Sequence, residues 1–221
     1  MTKTKLQNGF TIIELLIATV IFSVILLMAT SGVIRIGQMY YKGITEAKTQ
    51  DASRRISEEL SRAVQFSDNE KTNVDNAGDP YLKIFCFGDT RYTANLDKLY
   101  VDRGIGTGTG LVAERLATGS PCGCAGGCVE TAQQLLGHNM RLLKLDISQI
   151  AAGQNAWRVD LRVAYGENDL LTHYDDLGNL LPGDPDVRLS NLNNAACKSG
   201  ISGGSFCAVS QLDTVVKKRL N

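Results

Sequence analysis

No proline occurs before Pro80 in this 221-residue chain, and from Phe10 to Thr30 the only charged residue is Glu14. The first absence removes the commonest helix breaker from the N-terminal third. Histidine is almost missing: His138 and His173 are the only two. Neither lies in a zinc-protease or nucleophile motif, and no enzyme class is legible from them. An excess of one charge sign is also missing, since the formal net charge is zero. Residues 67–221 hold 15 Lys/Arg against 18 Asp/Glu, which gives that region no bulk attraction to nucleic acid or anionic lipid. The glycines from Gly104 to Gly110 lack both the GK[ST] ending of a P-loop and the GxGxxG spacing of a dinucleotide site, and read as a loop. With 43% apolar and 21% charged residues, the chain as a whole is that of a folded protein.

What is there begins with cysteine. All six, Cys86, Cys122, Cys124, Cys128, Cys197 and Cys207, follow the apolar N-terminal stretch. An even number in a segment placed outside the membrane favours disulfides, and six cysteines allow about 15 connectivities. Cys197–Cys207 closes a short Gly/Ser-rich loop and is the favoured pair. Zinc fits poorly, because Cys122-x-Cys124-x3-Cys128 has no CxxC pair and no nearby histidine before His138.

The N-terminus decides the class. A short polar segment of nine residues with Lys3 and Lys5 precedes an apolar run from Phe10 to Met28. As a helix rising about 1.5 Å per residue, the run is long enough to cross a hydrocarbon core of about 30 Å. The two lysines place the leader in the cytoplasm and the C-terminus outside. Three readings compete. A secretory signal cleaved near Met28-Ala29-Thr30-Ser31 has an apolar core too long for the type, and it carries a carboxylate. A plain membrane anchor leaves Glu14 without a purpose, although a carboxylate in an apolar span costs about 2.5–3.5 kcal/mol.

The third reading accounts for both features. Gly9-Phe10-Thr11-Ile12-Ile13-Glu14 resembles the cleavage motif of type IV prepilins and pseudopilins. The resemblance implies that a prepilin peptidase cuts between Gly9 and Phe10 and that Phe10 is N-methylated. Glu14 then pairs with the N-terminal amine of a neighbouring subunit, and two charges costly alone in lipid become tolerable together. It also implies partners: other pilin subunits, the membrane and an inner-membrane assembly platform. No cofactor and no catalytic residue is implied. The chain starts as a single-pass membrane protein and ends in an extracellular or cell-surface filament. The absence of an early proline departs from many major pilins, with Gly32, Gly37 and Gly43 as weak points of the helix instead; the resemblance is more to a minor pilin or pseudopilin, and major against minor stays open.

The expected fold is α+β. One helix runs from Phe10 to about Phe66, roughly 85 Å long. The expected segments are a leader (1–9), a transmembrane and filament-core helix (10–31), its amphipathic continuation (32–66) and a disulfide-containing head (67–221). Ile56, Leu60, Ala63 and Val64 form one helical face, while Arg54/Glu58, Arg55/Glu59 and Glu58/Arg62 form exposed four-residue pairs. An antiparallel sheet packs on this part of the helix. Its strands are expected at Tyr81–Phe87, Lys98–Asp102, Arg141–Ile147 (Leu143, Leu145 and Ile147 on one face) and Trp157–Tyr165. In the last of these, Trp157, Val159, Leu161, Val163 and Tyr165 point inward. The break at 151–156 makes an antiparallel hairpin of the last two. A short helix is expected at Val129–Leu136, and 206–216 reads equally as strand or helix. Asp175, Asp176, Asp184 and Asp186 do not match a calcium loop. Lys217, Lys218 and Arg219 are one small basic cluster, a weak footprint for nucleic acid. A tip adhesin or DNA-binding minor pilin is the alternative function.

Overall fold

The computed structural model describes residues 10–67, 70–71, 82–96, 110–117, 121–122, 133–151, 155–166, 170–174, 180–181, 195–198 and 204–219. The chain divides into two compact units, Met1–Tyr41 and Lys42–Asn221. A single helix, α1 (Ile12–Phe66), begins in the first and ends in the second. The helix continues through Gly32, Gly37 and Gly43, none of which has a neighbouring atom where a Cβ would stand.

In the first unit, the large apolar side chains of α1 are exposed. This stretch is long and apolar enough to cross a membrane. Its few hydroxyls bond to carbonyls of their own helix: Thr19 to Leu16 (2.9 Å), Ser23 to Thr19 (2.8 Å), Thr30 to Leu26 (2.8 Å) and Ser31 to Met28 (2.8 Å). A hydroxyl satisfied this way carries little penalty in an apolar medium.

The second unit is α+β. A five-stranded antiparallel sheet has the order β1 (Glu70–Lys71), β2 (Leu82–Phe87), β3 (Thr90–Asn95), β4 (Gly110–Arg115) and β5 (Gln133–Gln134). The β2–β3 hairpin turns over two residues, with Gly88 at a φ of 58° that a side chain would disfavour. A second sheet has the order β11 (Ala208–Lys217), β7 (Ala156–Tyr165), β6 (Met140–Gln149). A third joins β10 (Ala196–Cys197), β8 (Leu171–Tyr174) and β9 (Leu180–Leu181).

The main core lies between the later part of α1 and the long strands. Ile56, Leu60 and Val64 meet Trp157, Val159, Leu161 and Val163 of β7 and Leu142, Leu145 and Ile147 of β6, with Ala63 and Tyr165 partly buried against them. The clean alternation along β7 therefore seats every second side chain in the core. N-terminal to Ile56, the buried helix face changes to small hydroxyl residues, Thr45, Thr49 and Ser53, and Ser57 adds one beside Ile56. They let the chain approach closely. Ser57 Oγ lies 3.2 Å from Thr214 Oγ1, and the Thr45 hydroxyl donates to the Ser205 carbonyl at 3.3 Å.

Several sequence expectations need correction. Leu143 does not share a face with Leu145 and Ile147. A β-bulge between Leu142 and Lys144 inserts Leu143 as an extra residue, so it faces a separate cluster with Ala164, Leu171, Ala195 and Cys207. At the end of the segment read as a short helix, Gln133–Gln134 is strand β5. There the Gln134 side-chain oxygen accepts from the N–H groups of Leu111 (3.1 Å), Leu135 (3.1 Å) and Leu136 (3.2 Å). Tertiary hydrogen bonding overrides the local helical preference. Arg55 pairs backward with Asp51 (2.8 Å) rather than forward with Glu59, whose carboxylate instead accepts from the Tyr92 hydroxyl at 3.4 Å. The undecided C-terminal element is strand β11. The strand expected at 98–102 lies outside the described residues.

Candidate processing and assembly segment

The residues singled out at the N-terminus converge on the first turn of α1. Phe10 is 80% exposed and precedes the helix, and Glu14 lies in its first turn. Between them Thr11 acts as the N-cap. Its backbone N–H and its hydroxyl both donate to one Glu14 carboxylate oxygen, at 3.0 and 2.9 Å, and its Oγ1 accepts from the Glu14 N–H at 3.3 Å. The first intrahelical bond runs from Leu15 N–H to the Thr11 carbonyl at 3.2 Å. This is a reciprocal capping box, and its sequence signature is a Thr followed three residues later by Glu. The carboxylate is thus fixed at the positive end of the helix, beside Phe10. Thr11 was not among the residues marked in the sequence, although the T-x-x-E spacing carries the signal. Gly9 lies outside the described residues.

Among the described residues, two disulfides tie the second unit. One joins Cys86 on β2 to Cys122, and the other joins Cys197 on β10 to Cys207, just before β11. Both halves of the first bond are buried beside Ile84. Cys124 and Cys128 lie outside the described residues, as do Asp175, Asp176, Asp184 and Asp186. Among the described residues, no group of three or more His, Cys, Asp or Glu side chains is placed to hold a metal.

The remaining candidates are scattered. His138 is exposed in the turn before β6, and His173 lies on β8. The C-terminal basic cluster is partly engaged by the fold. Lys217 ends β11, and the Lys218 N–H donates to the Asn155 carbonyl at 2.7 Å. Arg219 places its guanidinium over the Phe66 ring at 5.1 Å, and its N–H donates to the Gln65 carbonyl at 3.2 Å. A cation spent on an aromatic ring at the end of α1 is a packing group first.

Among the described residues, buried and half-buried charges meet carboxylates or carbonyls of neighbouring segments. Arg91 meets Glu114 at 2.5 Å across β3 and β4, and Lys144 meets Asp160 across β6 and β7. Arg141, almost fully buried, donates to the Gly166 carbonyl at 3.1 Å. Burial holds the Arg162 guanidinium below its ordinary value, partly opposed by the Asp160 charge, and Arg162 donates to the Ala195 carbonyl at 2.6 Å. These contacts cross between strands and read as structural.

Comparison with known proteins finds one match. Residues 4–30 match the family described as the prokaryotic N-terminal methylation motif. No curated protein and no solved structure matches the chain. The matched stretch contains Phe10, Thr11 and Glu14 and stops well before the second unit. Together with an apolar helix long enough to cross a membrane, the motif supports membrane anchoring before assembly into a surface filament. At its N-terminus, this chain carries the methylation motif of the type IV pilin family.

Proposed function

We propose that the chain is a structural subunit, a minor pilin or pseudopilin, of a type IV pilus or related secretion or DNA-uptake filament. The leader is cut between Gly9 and Phe10, and the new N-terminus at Phe10 is methylated. Before assembly, the first part of α1 anchors the chain in the membrane, with the N-terminus cytoplasmic and the second unit outside. In the filament, the apolar helices bury one another and the disulfide-tied heads face outward. Other subunits, the prepilin peptidase and an assembly platform in the inner membrane are the partners this route requires.

The observation that carries the reading is Glu14, the one charge in an apolar stretch, fixed in the first turn beside Phe10. A carboxylate in lipid costs about 2.5–3.5 kcal/mol unless it is matched. The amine freed on a neighbouring subunit by cleavage matches it, and this couples processing to polymerisation. The Thr11 cap gives the carboxylate neutral donors until that amine arrives.

Mass spectrometry of assembled filaments tests the processing step. Methylated Phe10 is the expected N-terminal residue, and any other mature N-terminus contradicts the reading. Glu14→Ala should leave membrane insertion intact and abolish filament yield. An unchanged yield removes the role given to Glu14.

A further inference from the structure

The first unit carries one cation on α1 besides the acid already described. From Phe10 to Tyr41 the charged residues are Glu14 and Arg35. Arg35 lies within the helix and is exposed. Three later cations of α1 have a carboxylate one turn away: Lys42 meets Glu46, Arg54 meets Glu58 and Arg55 meets Asp51. Arg35 has no such carboxylate, because Ser31, Gly32, Gln38 and Met39 fill the positions three and four residues away. Its neighbours Ile34 and Ile36 are aliphatic and exposed. A guanidinium keeps its charge in any protein setting, so it needs an anion or water at this level.

Its distance from Glu14 says where that level is. The two are twenty-one positions apart, a rise of about 32 Å. Between them, residues 15–34 form a run of twenty uncharged, mainly apolar residues. A hydrocarbon core of about 30 Å takes about twenty helical residues, and an ordinary tilt removes the small excess. Only one seat therefore keeps both charges out of the hydrocarbon. The core holds 15–34, Glu14 stands at the inner boundary and Arg35 at the outer one. Sliding α1 either way by a turn drives one of the two into lipid. Ile36, Met39, Tyr40 and Tyr41 follow, all exposed. In this seat they lie within about 10 Å of the hydrocarbon, in the headgroup layer, where tyrosine is favoured. The Tyr40 and Tyr41 rings meet edge to face there, 6.1 Å apart.

We propose that Arg35 anchors the unassembled chain to the outer leaflet, with its guanidinium on lipid phosphates and the tyrosine pair beside it. The phosphodiester is the anion that every phospholipid presents at this depth, and its oxygens match the forked donors of a guanidinium. The inference rests on membrane anchoring before assembly. It uses neither the cut after Gly9 nor the pairing of Glu14 with an amine. It also sets the starting point for that pairing: held at the inner boundary, Glu14 keeps access to water until other helices pack around it.

The full-length chain in phospholipid vesicles tests the anchor. Residue 25 is the middle of the span between the two charges, so the tryptophan of Ile25→Trp should be quenched most by acyl chains brominated at their deepest positions. Trp157 is buried in the second unit and gives a constant background. Adding Arg35→Leu leaves 15–41 free of charge, recentres the span on residue 28 and should move the quenching maximum about 4 Å shallower. Arg35→Lys also reaches phosphate and should leave the maximum in place. With arginine guanidinium carbons labelled, solid-state NMR should show a carbon–phosphorus contact in the parent that Arg35→Leu removes. An unchanged depth in Arg35→Leu overturns the proposal. So does an absent phosphorus contact, which would assign Arg35 to a carboxylate of another copy. Quenching at no depth would overturn membrane anchoring itself, so the two failures are told apart.

Discussion

The two stretches of α1 share one backbone and obey different rules. In 12–41, the large apolar side chains lie open. In 42–66, a stripe from Thr45 to Val64 is buried against strands of the same unit. The later stretch finds its apolar partners within its own unit. The earlier one offers a nearly continuous apolar surface whose burial must come from lipid or from other chains. Folding and assembly are thereby assigned to different lengths of one helix.

The sharpest way to break that division is through the two disulfides among the described residues, which lie in the second unit. Replacing Cys86 and Cys122 with alanine opens a bond of sequence separation 36, and replacing Cys197 and Cys207 opens one of 10. Loop-closure entropy then predicts losses of about 4 and about 3 kcal/mol. Urea unfolding of the detergent-solubilised chain, followed by Trp157 fluorescence, measures both. Helicity of the first stretch should survive either change; its collapse would mean that α1 depends on the head throughout.

A substitution in each stretch sharpens the same contrast. Leu60 is fully buried, and Leu60→Ala should cost about 2–5 kcal/mol of head stability. Ile25 is exposed, and Ile25→Ala should change head stability by less than about 0.5 kcal/mol. Equal losses in urea unfolding would show that the first stretch is packed against the protein.

The same contrast governs what was legible in the sequence. The helix, its apolar stretch and the Gly9-Phe10-x3-Glu14 pattern are linear signals, readable because the physics behind them acts between near neighbours. The alternation of β7 was readable for the same reason. The pairing of Cys86 with Cys122 was not, because it depends on where β2 carries Cys86 in space. Leu143 was misplaced because a bulge has no periodic signature: one extra residue turns a side chain to the opposite face. Of the helix expected at Val129–Leu136, residues 129–132 lie outside the described residues, and Gln133–Gln134 is strand, where the Gln134 side chain accepts from three backbone N–H groups. Arg219 read as part of a basic tail, and only the fold brings it over Phe66. Thr11 alone was legible and passed over, since the capping spacing overlaps the cleavage motif.

The smallest effect joins α1 to the five-stranded sheet. Tyr92 is buried, and its hydroxyl donates to the exposed Glu59 carboxylate at a long 3.4 Å. Burial, then the Glu59 charge, pushes this phenol well above its ordinary value. The folded state therefore holds the proton more tightly than the unfolded chain does. Stability from this group is fully present below the unfolded value of about 10 and falls as pH rises through the alkaline range toward the folded one. Tyr92→Phe should cost about 0.5 kcal/mol at neutral pH, since the hydrogen bond is weak and Glu59 stays solvated. It should also flatten the alkaline loss, which urea midpoints taken from pH 8 upward would measure. An alkaline slope unchanged in Tyr92→Phe would place the titrating group elsewhere and leave the Glu59–Tyr92 contact without an electrostatic role.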